Sequence, residues 1–505
     1  MLGWCADFLR LWWGLLYWNT QKTWFQVRRG RSPCPCQTPS DSGRAYQTGC
    51  DACANWTDPA RFRRVCPLLV ETPKGLRCSV DTANVRPFWG RALRYFGTSA
   101  AALYLAGAIG VFIFLRIVGY PVSIVHVALP PLWHRVGQAR GWFFLERSNR
   151  AFAEGKTAEG LLYLDNSYQF DPGNYAAGLS LAKHYQVGQP ARSDEIFARL
   201  RNDHPNNAHA TAQDWYRALL ARGSFQKITT LARDETLSDS AHAAVWVRAL
   251  IFAARQTNDP AVLRELVADN SAAAKRWRPV FATELLLRDK RTAEARAAVS
   301  RPWPTEDRTG FSIFYRVQVL IELGDTLEAL DLLEKHSAQL DDEARRTLRL
   351  EAFAVRGSTT ALNQEIEQLL APRFTPQNLS IIKVICAQLI RYPDAGIFER
   401  LWTKVQREQL VLSTDTAGAW FSLLCAAGAV GDYARLNELT NRLKQASKSP
   451  FIALNLVEAF FRGETSERRI TTFLPILPLP LEVTYALVER YGGQAAPVPT
   501  PGKRV

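Results

Sequence analysis

The sequence predicts an all-α protein: a helix–turn–helix solenoid that follows one transmembrane helix, with a small cysteine-rich module ahead of both. Three observations predict it. Turn signals recur at a near-constant interval from about residue 142 onward. Residues 98–115, TSAAALYLAGAIGVFIFL, form a run of eighteen without a charge. Six of the nine cysteines fall between positions 34 and 78. A chain of 505 residues also exceeds the size at which one hydrophobic core keeps growing, which favours modules or repeats.

The repeat is read from its turns. They fall at Gly155, Gly188, Gly223, Asn258, Asp289, Gly324, Gly357, Pro393, Gly431 and Gly463, separated by 33, 35, 35, 31, 35, 33, 36, 38 and 32 residues. Between them apolar residues recur every three to four positions, the helical period. One short turn per period of about 34 residues marks stacked helix pairs, each of which covers an apolar face of the next. An irregular helical bundle would not keep such a beat.

The residues around the turns add a family likeness. Gly155 is followed at +5, +9, +12 and +17 by Gly160, Leu164, Ser167 and Pro172; Gly188 is followed by Ser193, Phe197, Leu200 and Pro205; Gly324 is followed by Ala329 and Leu333. This pattern resembles the tetratricopeptide repeat (TPR). The resemblance implies a right-handed superhelix of about ten helix pairs over residues 142–491, closely crossing where the small residues lie. It also implies a partner-binding groove lined by Asn149, Phe152, Tyr185, Gln186, Arg217 and Gln318. The Lys/Asn clamp by which some TPR proteins hold a peptide carboxylate is not reproduced, because Gly178 and Ala182 stand there.

The uncharged run, extended through Arg116 to Tyr120, is long enough to cross a bilayer core of about 30 Å at about 1.5 Å per residue. No face of it is polar, unlike a helix at the edge of a soluble core. We take the span as residues 96–120 and residues 121–141 as a linker. Residues 1–97 hold 14 basic and 6 acidic side chains, a net +8, against +6 for the remaining 408 residues. The positive-inside rule therefore favours a cytoplasmic N-terminus and a periplasmic solenoid, in a bacterial inner membrane. Residues 1–27, rich in Trp and Leu but interrupted by Asp7 and Arg10, read as an interfacial helix. They lack the basic start and small-residue cleavage site of a secretory signal.

The cysteines read as a thiolate metal module within residues 28–95. Cys34, Cys36, Cys50 and Cys53 form two chelating pairs, with Cys66 and Cys78 following, and no His precedes His126. Sulfur-only ligation suits structural zinc first and an iron–sulfur cluster second, with free thiols or disulfides as the remaining reading. A segment this small needs such a staple to hold itself together. Its basic character leaves nucleic acid as a competing partner, which predicts an alternative role as a regulatory or nucleic-acid-binding protein.

No phosphate loop, dinucleotide fingerprint or nucleophile elbow occurs, and the seven histidines are scattered. Asp341 and Asp342 read as helix caps rather than an acid–base pair. The expectation is a membrane-anchored, non-catalytic scaffold that binds other proteins. Residues 492–505, GGQAAPVPTPGKRV, read as a loose tail.

Overall fold

The computed structural model describes residues 97–238, 242–303, 310–375, 378–446, 452–465 and 469–492, together with the backbone of four short strands nearer the N-terminus. The chain divides into two compact units, residues 1–143 and residues 144–505. Its described elements are overwhelmingly α-helical.

In the first unit, β1 (Gln37–Thr38) pairs antiparallel with β2 (Gln47–Thr48), and β3 (Leu69–Thr72) pairs antiparallel with β4 (Gly75–Cys78). Helix α1 runs from Thr98 to Val118, with no acidic residue in its first turn and Arg116 in its last. Its most apolar stretch is only 6% buried, and Leu103, Phe114 and Ile117 are 76, 63 and 79% exposed. It is long and apolar enough to cross a membrane. Gly119, at φ +100°, ends it: its amide bonds back to Arg116 O, a left-handed cap that suits a residue without Cβ.

The chain after Gly119 differs from the expected linker. Helix α2 (Ile124–Ala128), a 3₁₀ turn (Pro130–Leu132) and helix α3 (His134–Ala153) occupy it, so helical structure begins eighteen residues before position 142 and α3 itself eight before. The sequence signal was weak because Pro121, Pro130 and Pro131 break any single periodic run.

The second unit continues as helices joined by short turns: α4 (Thr157–Phe170), α5 (Tyr175–Gly188), α6 (Pro190–Asp203), α7 (Ala208–Ala221), α8 (Phe225–Ser238) and α9 (Ala243–Thr257). Then come α10 (Ala261–Ala268), α11 (Ala272–Arg288), α12 (Thr292–Ser300), α13 (Phe311–Glu322), α14 (Thr326–Lys335), α15 (Asp342–Arg356) and α16 (Thr359–Leu370). The last are α17 (Ser380–Arg391), α18 (Ala395–Arg407), α19 (Ala417–Val430), α20 (Tyr433–Ala446), α21 (Ile452–Arg462) and α22 (Leu481–Tyr491). Most helices pack against their sequence neighbours. The exception is α22, which packs against α17 and α7.

Seven of the ten turn residues, Gly155, Gly223, Asn258, Gly324, Gly357, Gly431 and Gly463, have positive φ. At the Asp289 turn the following Lys290 takes that conformation instead. Gly188 remains helical, and Pro190 opens α6 two residues later, with Gln189 between them.

Small residues stand where helices approach closely, at the pattern position Gly160 and at Gly178 on α5. A Cβ on Gly160 would lie 2.8 Å from the Phe152 ring, and one on Gly178 would lie 2.7 Å from Tyr168. Ser148 Oγ donates to Gly160 O at 2.8 Å, and Ser193 Oγ donates to Ala182 O at 2.7 Å, so neither buried hydroxyl is stranded. Leu164, Phe197, Leu200, Ala329 and Leu333 are buried. A small apolar cluster spans Leu164 to Ala218, and a large one spans Ala212 to Tyr491. Asp341 caps α15 by accepting from Ala344 N at 2.7 Å, and Asp342 pairs with Arg345.

Candidate functional site

The residues singled out for a groove are spread over the second unit, and only Gln318 lines its principal cavity. Asn149 on α3 and Arg217 on α7 are exposed, and Arg217 sits 3.6 Å from Asp214. Phe152 stacks on His184, with ring centroids 4.8 Å apart, and abuts Gly160, so it packs as much as it faces outward. Tyr185 lies under the Arg192 guanidinium. Gln186 is occupied within the chain: its Nε2 donates to Pro475 O at 3.1 Å, 289 residues away.

That contact belongs to a larger feature. The segment from Ile470 to Tyr491 returns to the earlier helices of its unit. Tyr485 on α22 hydrogen-bonds the Tyr216 hydroxyl of α7, meets the Phe252 ring edge-on at 4.6 Å and lies under Arg248 of α9. Glu489 accepts from Arg391 Nε at 2.8 Å, and Arg490 Nη1 donates to Ile390 O at 2.5 Å. Val483, Ala486, Leu487 and Val488 are buried behind these contacts.

Beside α22 opens a cavity of about 730 Å³ lined by α9, α13, α15, α17 and α22. Two kinds of charge line it. The first are paired. Arg391 bridges Glu351, at 3.2 Å, and Glu489; burial pushes the Glu351 carboxyl up, with Arg391 pulling the other way. In a smaller adjoining cavity of about 70 Å³, Arg255 holds Glu284 through two bonds of 2.9 and 2.6 Å and Glu322 at 2.8 Å, while the Tyr315 hydroxyl donates to Glu284 at 2.6 Å. Burial would lower the Arg255 pKa, but the two carboxylates outweigh it and raise it; burial, then Glu284, pushes the Tyr315 phenol well up. Arg255 keeps a third of its side-chain surface exposed, so water screens this network and it stabilises less than a dry one would.

The second kind are unpaired. Arg248, Glu343 and Glu482 all line the larger cavity, and among the described residues none of them makes an ion pair. The Arg248 guanidinium instead lies 5.2 Å from the Phe314 ring centre and 5.1 Å from that of Tyr485, a cation–π sandwich. Burial, then the like charge of Glu482, raises the Glu343 carboxyl, with Lys383 partly offsetting both. Chemically, the cavity wall offers aromatic faces, a guanidinium without a carboxylate partner and two carboxylates without a cation partner.

None of Arg248, Glu343, Glu482 or Tyr485 was singled out from the sequence. Glu482 and Tyr485 follow the proline-rich stretch LPILPLP, whose break in the repeat was the available signal.

Cys34, Cys36, Cys50, Cys53 and Cys66 lie outside the described residues, and Cys78 is described in backbone alone, as the last residue of β4. Among the described residues no cluster of three or more His, Cys, Asp or Glu could hold a metal ion. Cys386 and Cys425 are free and buried, and burial pushes the Cys425 thiol up to about 12. His204 and His209 are half-buried rather than fully solvated: His204 meets the Tyr175 ring edge-on, and His209 stacks on His242 at 3.8 Å.

No family model, no curated protein and no solved structure matches this chain.

Proposed function

We propose that the protein is a membrane-anchored, non-catalytic scaffold, in which α1 spans the bilayer and α3 to α22 form a TPR-like solenoid that binds other proteins on its inner face. The observation that carries this reading is the 730 Å³ cavity, where Arg248, Glu343 and Glu482 are left without ion-pair partners. Half-buried charges cost desolvation energy, and a partner that brings the opposite charges recovers it. The repeat supports the solenoid: helix pairs turn at left-handed residues about 34 positions apart, with small residues at their crossings. The bare apolar surface of α1 supports the membrane anchor. The charge excess of residues 1–97 supports a cytoplasmic N-terminus, hence an inner-membrane protein with the solenoid in the periplasm.

The test is a photo-crosslinking amino acid placed at Gln318, inside the cavity, and at Leu327, which is 65% exposed on α14. In native membranes Gln318 should give discrete protein adducts that R248E reduces at least fivefold, while Leu327 gives none in common. Equal adduct patterns from both positions would remove the cavity as the binding site.

The same reading assigns Cys34, Cys36, Cys50, Cys53, Cys66 and Cys78 to a structural metal site, zinc before an iron–sulfur cluster, on the strength of their spacing. Elemental analysis of the purified chain under reducing conditions should return about one equivalent of zinc. Absence of both zinc and iron would refute it.

A further inference from the structure

We infer that the chain does not leave the membrane where α1 ends: residues 119–133 re-enter the bilayer beside α1, and the cleft between them holds a lipid acyl chain. This rests on the proposal that α1 spans the bilayer. The geometry is set by three contacts. The Tyr104 hydroxyl donates to Ala128 O at 2.7 Å. Tyr104 lies fourteen residues before the end of α1 at Val118, or about 21 Å along its axis. So the chain, having turned at Gly119, comes back along α1 through about two-thirds of a hydrocarbon core of about 30 Å. It then returns: the Phe143 ring on α3 lies 5.0 Å from that of Tyr120, and a Cβ on Gly119 would sit 3.1 Å from it.

Non-helical backbone at such a depth needs its polar groups satisfied within the protein. The tip of the excursion meets that demand. Pro130 and Pro131 have no amide hydrogen to satisfy. Leu129 N donates to Val125 O, Leu132 N to Leu129 O, and Trp133 N to Pro130 O. Among the acceptors, Val127 O takes the Trp133 indole N–H at 2.9 Å, Ala128 O takes Tyr104, and Pro131 O takes His134 Nδ1 at 3.0 Å. A segment on the aqueous surface would have water for all of these groups.

Most of its side chains suit lipid as well, and His126 accepts from Ser123 N. The exposed His134 and Arg135 follow the tip, whose Tyr104 contact lies about 9 Å along α1 from its Thr98 end, within snorkelling reach of that interface. Val125, Leu129 and Trp133 are 47, 49 and 56% exposed. Between this segment and α1 lies an apolar cleft of about 510 Å³, walled by Gly107, Val111 and Leu115 on one side and Val127 and Trp133 on the other. It is continuous with the exposed face of α1, which is why a bilayer acyl chain is its occupant.

The experiment is site-resolved labelling of the full-length chain in membranes opened by freeze–thaw, so that both faces are reached. The probe is a membrane-impermeant maleimide, and each site is read by peptide mass spectrometry. V125C and L129C test the excursion, I109C reports the span, and L162C, at a position 60% exposed in the second unit, is the aqueous reference. V125C and L129C should label at less than a tenth of the L162C rate, as I109C does, and all should label fully in dodecyl sulfate. Labelling of V125C and L129C at the L162C rate with I109C protected would overturn the re-entrant segment while leaving the span intact. Labelling of I109C as well would overturn the span itself, and this inference with it. In the same membranes, a phosphatidylcholine with a diazirine on its acyl chain should form adducts on the peptide containing Val127 and Trp133; their absence beside adducts on α1 would remove the lipid from the cleft.

Discussion

Helices α1 and α19 have nearly the same composition and opposite surroundings. Each is apolar around its whole circumference: TSAAALYLAGAIGVFIFLRIV in one, AGAWFSLLCAAGAV in the other. Every residue from Ala419 to Ala429 is buried in protein, whereas in α1 only Ala108 is. Length separates them. Fourteen residues reach about 21 Å, too short for a bilayer, and α19 is covered by its neighbours α17, α18, α20 and α21. Twenty-one residues reach about 31 Å, and nothing in the described residues covers α1 to a comparable extent. A helix without a polar face needs an apolar environment on every side, and this chain meets that need once with protein and, on our reading, once with lipid.

A charge introduced into each helix separates the two environments most sharply. Leu424 on α19 is fully buried, while Leu105 on α1 is 52% exposed. L424D would bury an unpaired carboxylate at a cost of about 4 kcal/mol or more, enough to abolish the cooperative melt of the second unit followed by circular dichroism. L105D should leave that melt in detergent within about 1 °C of the parent and instead move protein out of the membrane fraction. An L105D chain that melts like L424D would show that α1 is packed within protein.

Glycines give a milder version of the same comparison. A Cβ on Gly428 of α19 would lie 2.3 Å from the Phe461 ring of α21, so G428A forces that ring to move and should destabilise by about 1–3 kcal/mol in denaturant titration. A Cβ on Gly110 of α1 meets no atom within 4 Å, and G110A should change stability by less than about 0.5 kcal/mol. A large G110A effect would mean that another helix lies against α1 in the membrane.

How far the sequence speaks differs along the chain for physical reasons. A turn that needs positive φ favours glycine or asparagine locally, so Gly155, Asn258 and Gly431 could be read without knowing what they join. Apolar runs announce burial of some kind, which made α1 visible. The cavity was not legible, because its members meet across long separations: Arg391 pairs with Glu489 98 residues away, and Tyr216 meets Tyr485 269 residues away. A repeat says that neighbours stack, but it does not say that the last helix returns to the seventh. The same blindness applied after α1, where the three prolines that disguised residues 121–133 as part of a linker also leave that segment with fewer amide hydrogens to satisfy.

The smallest effect is chemical rather than thermodynamic, and it asks what kind of apolar surrounding each helix has. Desolvation pushes the Cys425 thiol on α19 up to about 12, so at pH 8 roughly one molecule in ten thousand carries the reactive thiolate. Iodoacetamide should therefore modify Cys425 only when the second unit opens, at least a thousandfold more slowly than in denaturant. An apolar carbene reagent that partitions into lipid does not depend on ionisation. It should mark the exposed side chains of α1, Leu103 and Ile117 among them, while leaving α19 unmarked because no lipid touches it. Carbene insertion into both helices would mean that the second unit also sits in the bilayer; insertion into neither would mean that α1 is sheathed by protein, and the contrast between the two helices would then be one of degree.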